Sequence, residues 1–162
     1  EKLPYADEQF DQCLYLQQIV SLIEWKDGRL SALMELKRVL KKGGVAYLSL
    51  LFRGPREKTP AGFLLKSYLA LVRIFVHRNV PLSMQPLLKL GGRPNWMFVC
   101  DARPYVCWYS FQEAVEDIQK AGLVIQGVAT DHQLEEGGWL KPEALDGKVL
   151  KGFLYIKCGK DK

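Results

Sequence analysis

Two histidines, His77 and His132, are the only imidazoles in the chain, and either has the ordinary chemistry of a general base near neutral pH. His132 lies in the polar run Asp131-His132-Gln133, and His77 follows an apolar helical stretch, where a cation is favoured at the helix end. Neither position demands a chemical role, and no residue is assigned as catalytic. The cysteines Cys13, Cys100, Cys107 and Cys158 are widely spaced, with no C-x-x-C pair and no histidine at ligand spacing, so no metal site is expected and the thiols read as reduced. A denser signal is the aromatic group Trp96, Phe98, Tyr105, Trp108 and Tyr109. Such faces can wall a pocket that excludes water or stack on a planar substrate, and they can equally form a small apolar subcore under a long loop. The adjacent glycines Gly43-Gly44, Gly91-Gly92 and Gly137-Gly138 do not follow a strand and open a helix in the G-x-G-x-x-G manner, so no glycine loop for a nucleotide-like cofactor is legible.

These residues must be positioned by regular elements. Phe10 to Leu16 is a short apolar run that suits a strand buried on both faces of a parallel sheet. Leu30, Leu33, Met34, Leu36, Val39 and Leu40 recur at helical spacing, with Lys41 and Lys42 where a helix end favours cations and Gly43-Gly44 placed to terminate it. Val45 to Phe52 reads as a second buried strand, so strand, helix and strand form one crossover of an open α/β sheet. Ser110 and Glu113 form a capping box ahead of the stripe Phe111, Ala114, Val115, Ile118 and Ala121, which Gly122 ends. Leu123–Ala129 and Gly152–Cys158 follow as strands, with a polar loop between them.

The stretch from Arg53 to Trp108 is far longer than an ordinary connection. Within it, Ala61 to Val76 reads as a nearly all-apolar helix whose Lys66 and Arg73, seven apart, share one side. It is too short and too interrupted by charge to span a bilayer, though its basic side would suit a membrane surface. The whole chain of 162 residues is 48% hydrophobic and 25% charged, enough for one soluble domain with a sizeable core. Its net charge of +5 is scattered, which disfavours a nucleic-acid partner over a solvated surface. No charged leader with an apolar core opens the chain, and a cytoplasmic location is expected.

Leu3-Pro4-Tyr5-Ala6-Asp7-Glu8-Gln9-Phe10-Asp11 followed by Arg38-Val39-Leu40-Lys41-Lys42-Gly43-Gly44 resembles the class I S-adenosylmethionine-dependent methyltransferases, in the branch reading D-A-x-x-L-P-F-x-D-x-x-F-D and R-V-L-K-P-G-G. Phe111-Gln112-Glu113-Ala114 through Ala121-Gly122-Leu123-Val124-Ile125 resembles the same family's F-x-x-E-L-x-x-L-L-x-x-A-G-F-x-V segment. The resemblance implies a Rossmann-like α/β open sheet that lacks its first strands, a partial domain over 1–162 in which 53–108 is a helical and aromatic insertion serving as acceptor lid. It implies S-adenosylmethionine as cofactor, with Tyr15, Leu16 and Gln17 at the strand end beside its methionine portion. Trp96, Tyr105, Trp108 and Tyr109 would line the substrate pocket for a small, apolar acceptor. Two departures stand out, since Val20-Ser21 replace the family's Glu-His pair and Tyr15 its small polar residue. An inactive methyltransferase-like binding module and an RNA-modifying fragment are the alternatives, and an exposed sheet edge would be open to a second copy or another polypeptide.

Overall fold

The computed structural model describes residues 2–76, 79–90, 92–145 and 150–160. Strand β1 (Phe10–Tyr15) leads through the single turn α1 (Ile19–Leu22) to α2 (Lys26–Val39), which returns to β2 (Leu40–Leu50). The insertion then holds α3 (Arg53–Glu57), α4 (Pro60–Phe75), the short strands β3 (Met84–Pro86), β4 (Lys89–Leu90) and β5 (Arg93–Pro94), a 3-10 turn at Trp96–Cys100, and β6 (Tyr105–Cys107). Helix α5 (Phe111–Lys120), strand β7 (Val124–Thr130), helix α6 (Asp131–Glu135), a 3-10 turn at Pro142–Leu145 and strand β8 (Leu154–Gly159) complete the order. The stretch expected to be a polar loop after β7 therefore carries two short helical turns. His77 and Arg78 lie outside the described residues.

The main sheet has the order β1-β2-β8-β7. β1 and β2 are parallel, while β8 runs antiparallel to both of its neighbours, slotted between β2 and β7. Helices joining parallel strands must run back down the sheet, so α2 and α5 both begin at the carboxyl ends of the strands. They pack against each other and against one face of the sheet, burying Leu33 and Leu36 on Ala46, Leu48, Ala114, Ile118 and Ile156. The capping box at the start of α5 forms as expected: the Glu113 N–H donates to Ser110 Oγ and the Ser110 N–H donates to Glu113 Oε2. Gly122, at φ 74°, supplies the left-handed turn that stops the helix.

Two local expectations are corrected. The strands are not buried on both faces: in β2 Ala46, Leu48 and Leu50 are buried while Val45 and Tyr47 alternate as half-buried, and β1 is an edge strand with Leu14 exposed. Among the described residues the helices cover one face only, so burial follows the two-residue strand period. Gly43 does not end α2, which stops at Val39 with Leu40 already extended. Instead Gly43, at φ 72°, lies within β2 where pairing jumps from Phe10–Leu40 to Gln12–Val45, an irregularity that needs a left-handed residue.

Ahead of β1 the chain is tied to α2 by Arg38. Its guanidinium donates to both Glu35 carboxylate oxygens at 2.9 Å, to Asp7 Oδ1 at 2.6 Å, and to the carbonyls of Leu3 and Tyr5. The Arg38 hydrogen bonds, with a further one from the Leu3 N–H, hold the Glu35 carboxyl down from its ordinary 4.5 to about 2. A depressed carboxyl pKa stabilises the folded state fully above the ordinary value and loses that contribution as pH falls through the folded one. Glu35 thus adds an acid-sensitive component between pH 4.5 and about 2. Replacing Glu35 with Gln is expected to flatten the dependence of the urea midpoint on pH across that window. An unchanged slope would show that the carboxylate keeps no preference for Arg38 in the fold.

The insertion leaves and re-enters the domain at one point. Phe52 bridges Tyr109 in parallel, with the Tyr109 N–H donating to the Leu51 carbonyl at 2.8 Å and the Arg53 N–H donating to the Tyr109 carbonyl at 3.0 Å. Thr59 caps α4 by accepting from the Gly62 N–H, and Pro60 occupies its first turn. Within α4, Lys66 and Arg73 do share one side, but that side is not a solvated basic face. Arg73 is buried, and it donates to both carboxylate oxygens of Asp101 at 2.7 Å and to the carbonyls of Val80, Pro81 and Met84. Lys66 pairs with Glu57 at the surface. A guanidinium has enough donors to gather three loop carbonyls and a carboxylate around one buried point, which fixes α4 against the segments that follow it.

Candidate functional site at the carboxyl ends of the strands

The parallel strands deliver their carboxyl ends to one rim, and β1 ends there in an unusual turn. Gln17 and Gln18 both adopt left-handed backbone conformations, at φ 56° and 57°, although neither is glycine. Such conformations cost about 1–3 kcal/mol each and persist where surrounding contacts fix them. Two buried serines supply those contacts: the Gln18 N–H donates to Ser49 Oγ at 3.0 Å, and the Leu51 N–H donates to Ser21 Oγ at 3.0 Å. The exit of β1 is thereby stitched to the end of β2. Ser21, which stands where the resembling motif has histidine, is used as a backbone clamp.

The three residues expected beside a cofactor diverge from that turn. Tyr15 is half-buried and packs with Cys13 against the core, and burial raises its phenol pKa. Leu16 and Gln17 are exposed at the rim. Helix α1, directly after the turn, packs against β6, so the insertion sits over the exit of β1.

Beside this rim, at the starts of α2 and α5, lies a cleft of about 380 Å³, a volume within the range of small-molecule sites. Arg29, Met84, Cys107, Tyr109, Glu113 and Asp117 are among its lining residues. Arg29 is buried, donates from Nη1 to the carbonyls of Ile23 and Glu24, and lies 5.8 Å from the centre of the Tyr109 ring. Its Nε finds no hydrogen-bond partner among the described residues. Five carboxylates line the cleft, and four of them are engaged, Glu24 by Arg103, Glu113 by Arg53, Glu116 by Lys120 and Asp117 by the Tyr109 hydroxyl, while Asp27 stands in the first turn of α2. Burial lifts the Cys107 thiol to about 11 and pushes the Tyr109 phenol far above its ordinary range, so both stay protonated near neutral pH. The cleft can therefore position and desolvate a guest.

The aromatic residues expected to wall one pocket are dispersed. Tyr109 lines the cleft, but Tyr105 is buried with its hydroxyl donating to the Asp101 carbonyl. Trp108 is half-buried under the Arg56 guanidinium, 4.3 Å from its ring centre. Trp96 stands 80% exposed on the 3-10 turn. His132 lies in α6 with Glu136 at 3.5 Å, away from the cleft's lining. Arg29 and the two serines carried no distinguishing signal in the sequence, because a single arginine or serine in a helical stretch becomes notable only through what folds around it.

Comparison with known proteins bears on this geometry. Residues 1–48 match the family model described as a methyltransferase domain. A SAM-dependent methyltransferase from Methanosarcina mazei superposes with a TM-score of 0.64 at 16% identity, covering 99% of this chain and 64% of that one. In fold, the chain is similar to the class I methyltransferases. A second such methyltransferase, from Thermotoga maritima, gives a TM-score of 0.51 at 21% identity, covering 99% of this chain and 60% of that one. In sequence, the chain is 29% identical over 172 residues to the biotin biosynthesis bifunctional protein BioHC of Teredinibacter turnerae, covering 97% of this chain and 28% of that protein. It thus spans less than two thirds of the length of each of these relatives.

These neighbours imply S-adenosylmethionine as cofactor. The described residues fit one wall of such a site and not the whole of it. The β1 turn with Gln17 and the serine clamps form a rim, but no described strand passes through a glycine-rich turn into a helix that could cradle an adenosine. β1 is one edge of the main sheet. Among the described residues no helix is long and apolar enough to cross a membrane.

Proposed function

We propose that this chain forms the acceptor-side part of an S-adenosylmethionine-dependent methyltransferase that acts on a small acceptor. The observation that carries this reading is the rim at the carboxyl ends of β1 and β2, where the Gln17–Gln18 turn is pinned to Ser49 and the insertion sits over it. In open α/β sheets that rim is where ligands bind. A sulfonium methyl group is already activated, so the protein's work is to hold the acceptor in line and exclude water. Residues 53–108 would act as the lid, and the neighbouring cleft is of a size for a small acceptor. The polypeptide segment that pairs with the β1 edge would bring the cofactor's cradle.

Calorimetric titration of S-adenosylmethionine into the full-length gene product, and separately into residues 1–162, tests this. Micromolar affinity for the former, about −8 kcal/mol, with binding by residues 1–162 weaker by about tenfold or more, is the expected result. Absence of binding by the full-length product would overturn the reading and leave a methyltransferase-like module that works by partner contact.

A further inference from the structure

We propose that the insertion docks on an anionic lipid bilayer surface, laying the outer face of α4 and Trp96 into the headgroup region. At about 100° per residue, Phe63, Leu64, Leu71, Ile74 and Phe75 fall within an arc of about 120° on α4. All five are exposed, Phe75 at 78%. Gly62, Leu69 and Arg73 occupy the opposite side and are buried, so the apolar face points outward because the helix is fastened by its other side. The Tyr68 hydroxyl donates to the Val99 carbonyl, which sets the exposed Trp96, Met97 and Val99 of the 3-10 turn alongside the helix. The result is one apolar surface larger than a scattering of single side chains, and such surfaces mark contact sites.

Charge selects the occupant. From Lys58 through Cys100 the sequence has six cations, Lys58, Lys66, Arg73, Arg78, Lys89 and Arg93, and no carboxylate. The whole chain carries +5, so this stretch holds its entire positive excess and the remainder is slightly acidic. Arg73 is neutralised by Asp101 and Lys66 is paired with Glu57, while Lys58 and Arg93 are exposed. A surface that combines outward aromatic and branched aliphatic side chains with an excess of cations matches the interface of an anionic membrane, where an amphipathic helix lies flat. A helix of 16 residues is too short to cross the bilayer, which fixes the mode as lying on it. This inference does not rest on methyl transfer, and loss of cofactor binding would leave it untouched.

The test is co-sedimentation of the chain with phosphatidylcholine vesicles, with and without phosphatidylglycerol, at low and high salt, together with tryptophan emission. Partition onto the phosphatidylglycerol vesicles is expected to be tighter by about tenfold or more, to weaken with salt, and to shift emission to the blue. The double variant Leu71→Glu/Ile74→Glu, whose fold is checked by its urea midpoint, is expected to lose that partition, and Trp96→Ala to lose the blue shift. Equal partition onto neutral and anionic vesicles, or none, overturns the proposal. So does a self-association of the chain that Leu71→Glu/Ile74→Glu abolishes while vesicles fail to bind, since the face would then belong to a second copy.

Discussion

Asp101→Asn is expected to destabilise the insertion by about 3–5 kcal/mol, the cost of stranding one partner of a buried ion pair. The Arg73 and Asp101 side chains are 4% and 0% exposed, and the pair is closed by two hydrogen bonds of 2.7 Å. Asparagine keeps the size of the side chain and tolerates the left-handed backbone of Asp101, at φ 48°, so the substitution isolates the charge. Asp101→Ala should cost a further ~1–2 kcal/mol, because alanine is strained in that conformation. Lys66→Ala provides the contrast: its pair with Glu57 is at the surface, and the expected change is within about 1 kcal/mol. Urea unfolding measures all three, and hydrogen exchange locates the loss, which should concentrate in α4 and in the loops whose carbonyls Arg73 gathers. A loss below about 1 kcal/mol for Asp101→Asn would mean that water reaches the pair and that α4 is held chiefly by apolar packing.

Tyr109→Ala should cost about 3–5 kcal/mol, as expected for emptying a buried aromatic site. Tyr109 is 2% exposed and performs three tasks at once. Its backbone closes the stem of the insertion with Leu51 and Arg53, its ring fills the core beneath α5, and its hydroxyl donates to Asp117 at 3.4 Å. Tyr109→Phe preserves the first two and should cost only about 1 kcal/mol, since one long hydrogen bond is lost. Because the ring also lines the cleft, the two variants separate packing from polarity there. If alanine and phenylalanine were equally damaging, the hydroxyl rather than the ring would dominate, contrary to the burial.

Much of the frame was legible because its signals are local. The capping box of Ser110 and Glu113 uses residues three apart, and the stripe of α5 repeats at the helical period, so neither needed a distant partner. The parallel pair around α2 and the later strands were legible from their apolar runs. The ends of elements were less legible. Gly43 announces a left-handed residue, but whether it ends a helix or kinks a strand depends on the pairing of Leu40 and Val45 with β1.

The candidate site was less legible still. Tyr15, Leu16 and Gln17 mark the right strand end, yet the left-handed turn there is fixed by hydroxyls of Ser49 and Ser21, more than thirty residues and a few residues away along the chain. Arg29 became a feature only when the insertion folded β3 and β6 over it.

By itself the sequence determined the succession of strands and helices and the length of the insertion, since these follow from residue type and period. Only the tertiary structure decided that Arg73 turns inward onto Asp101 while Phe63, Leu71 and Phe75 turn out. Helical spacing fixes which residues share a side, but the choice of the side that is buried belongs to the partner surface. Here one buried carboxylate and three loop carbonyls outweigh the transfer of an apolar face from water, because a guanidinium satisfied on every side cannot be exchanged for an equally good arrangement elsewhere in the chain.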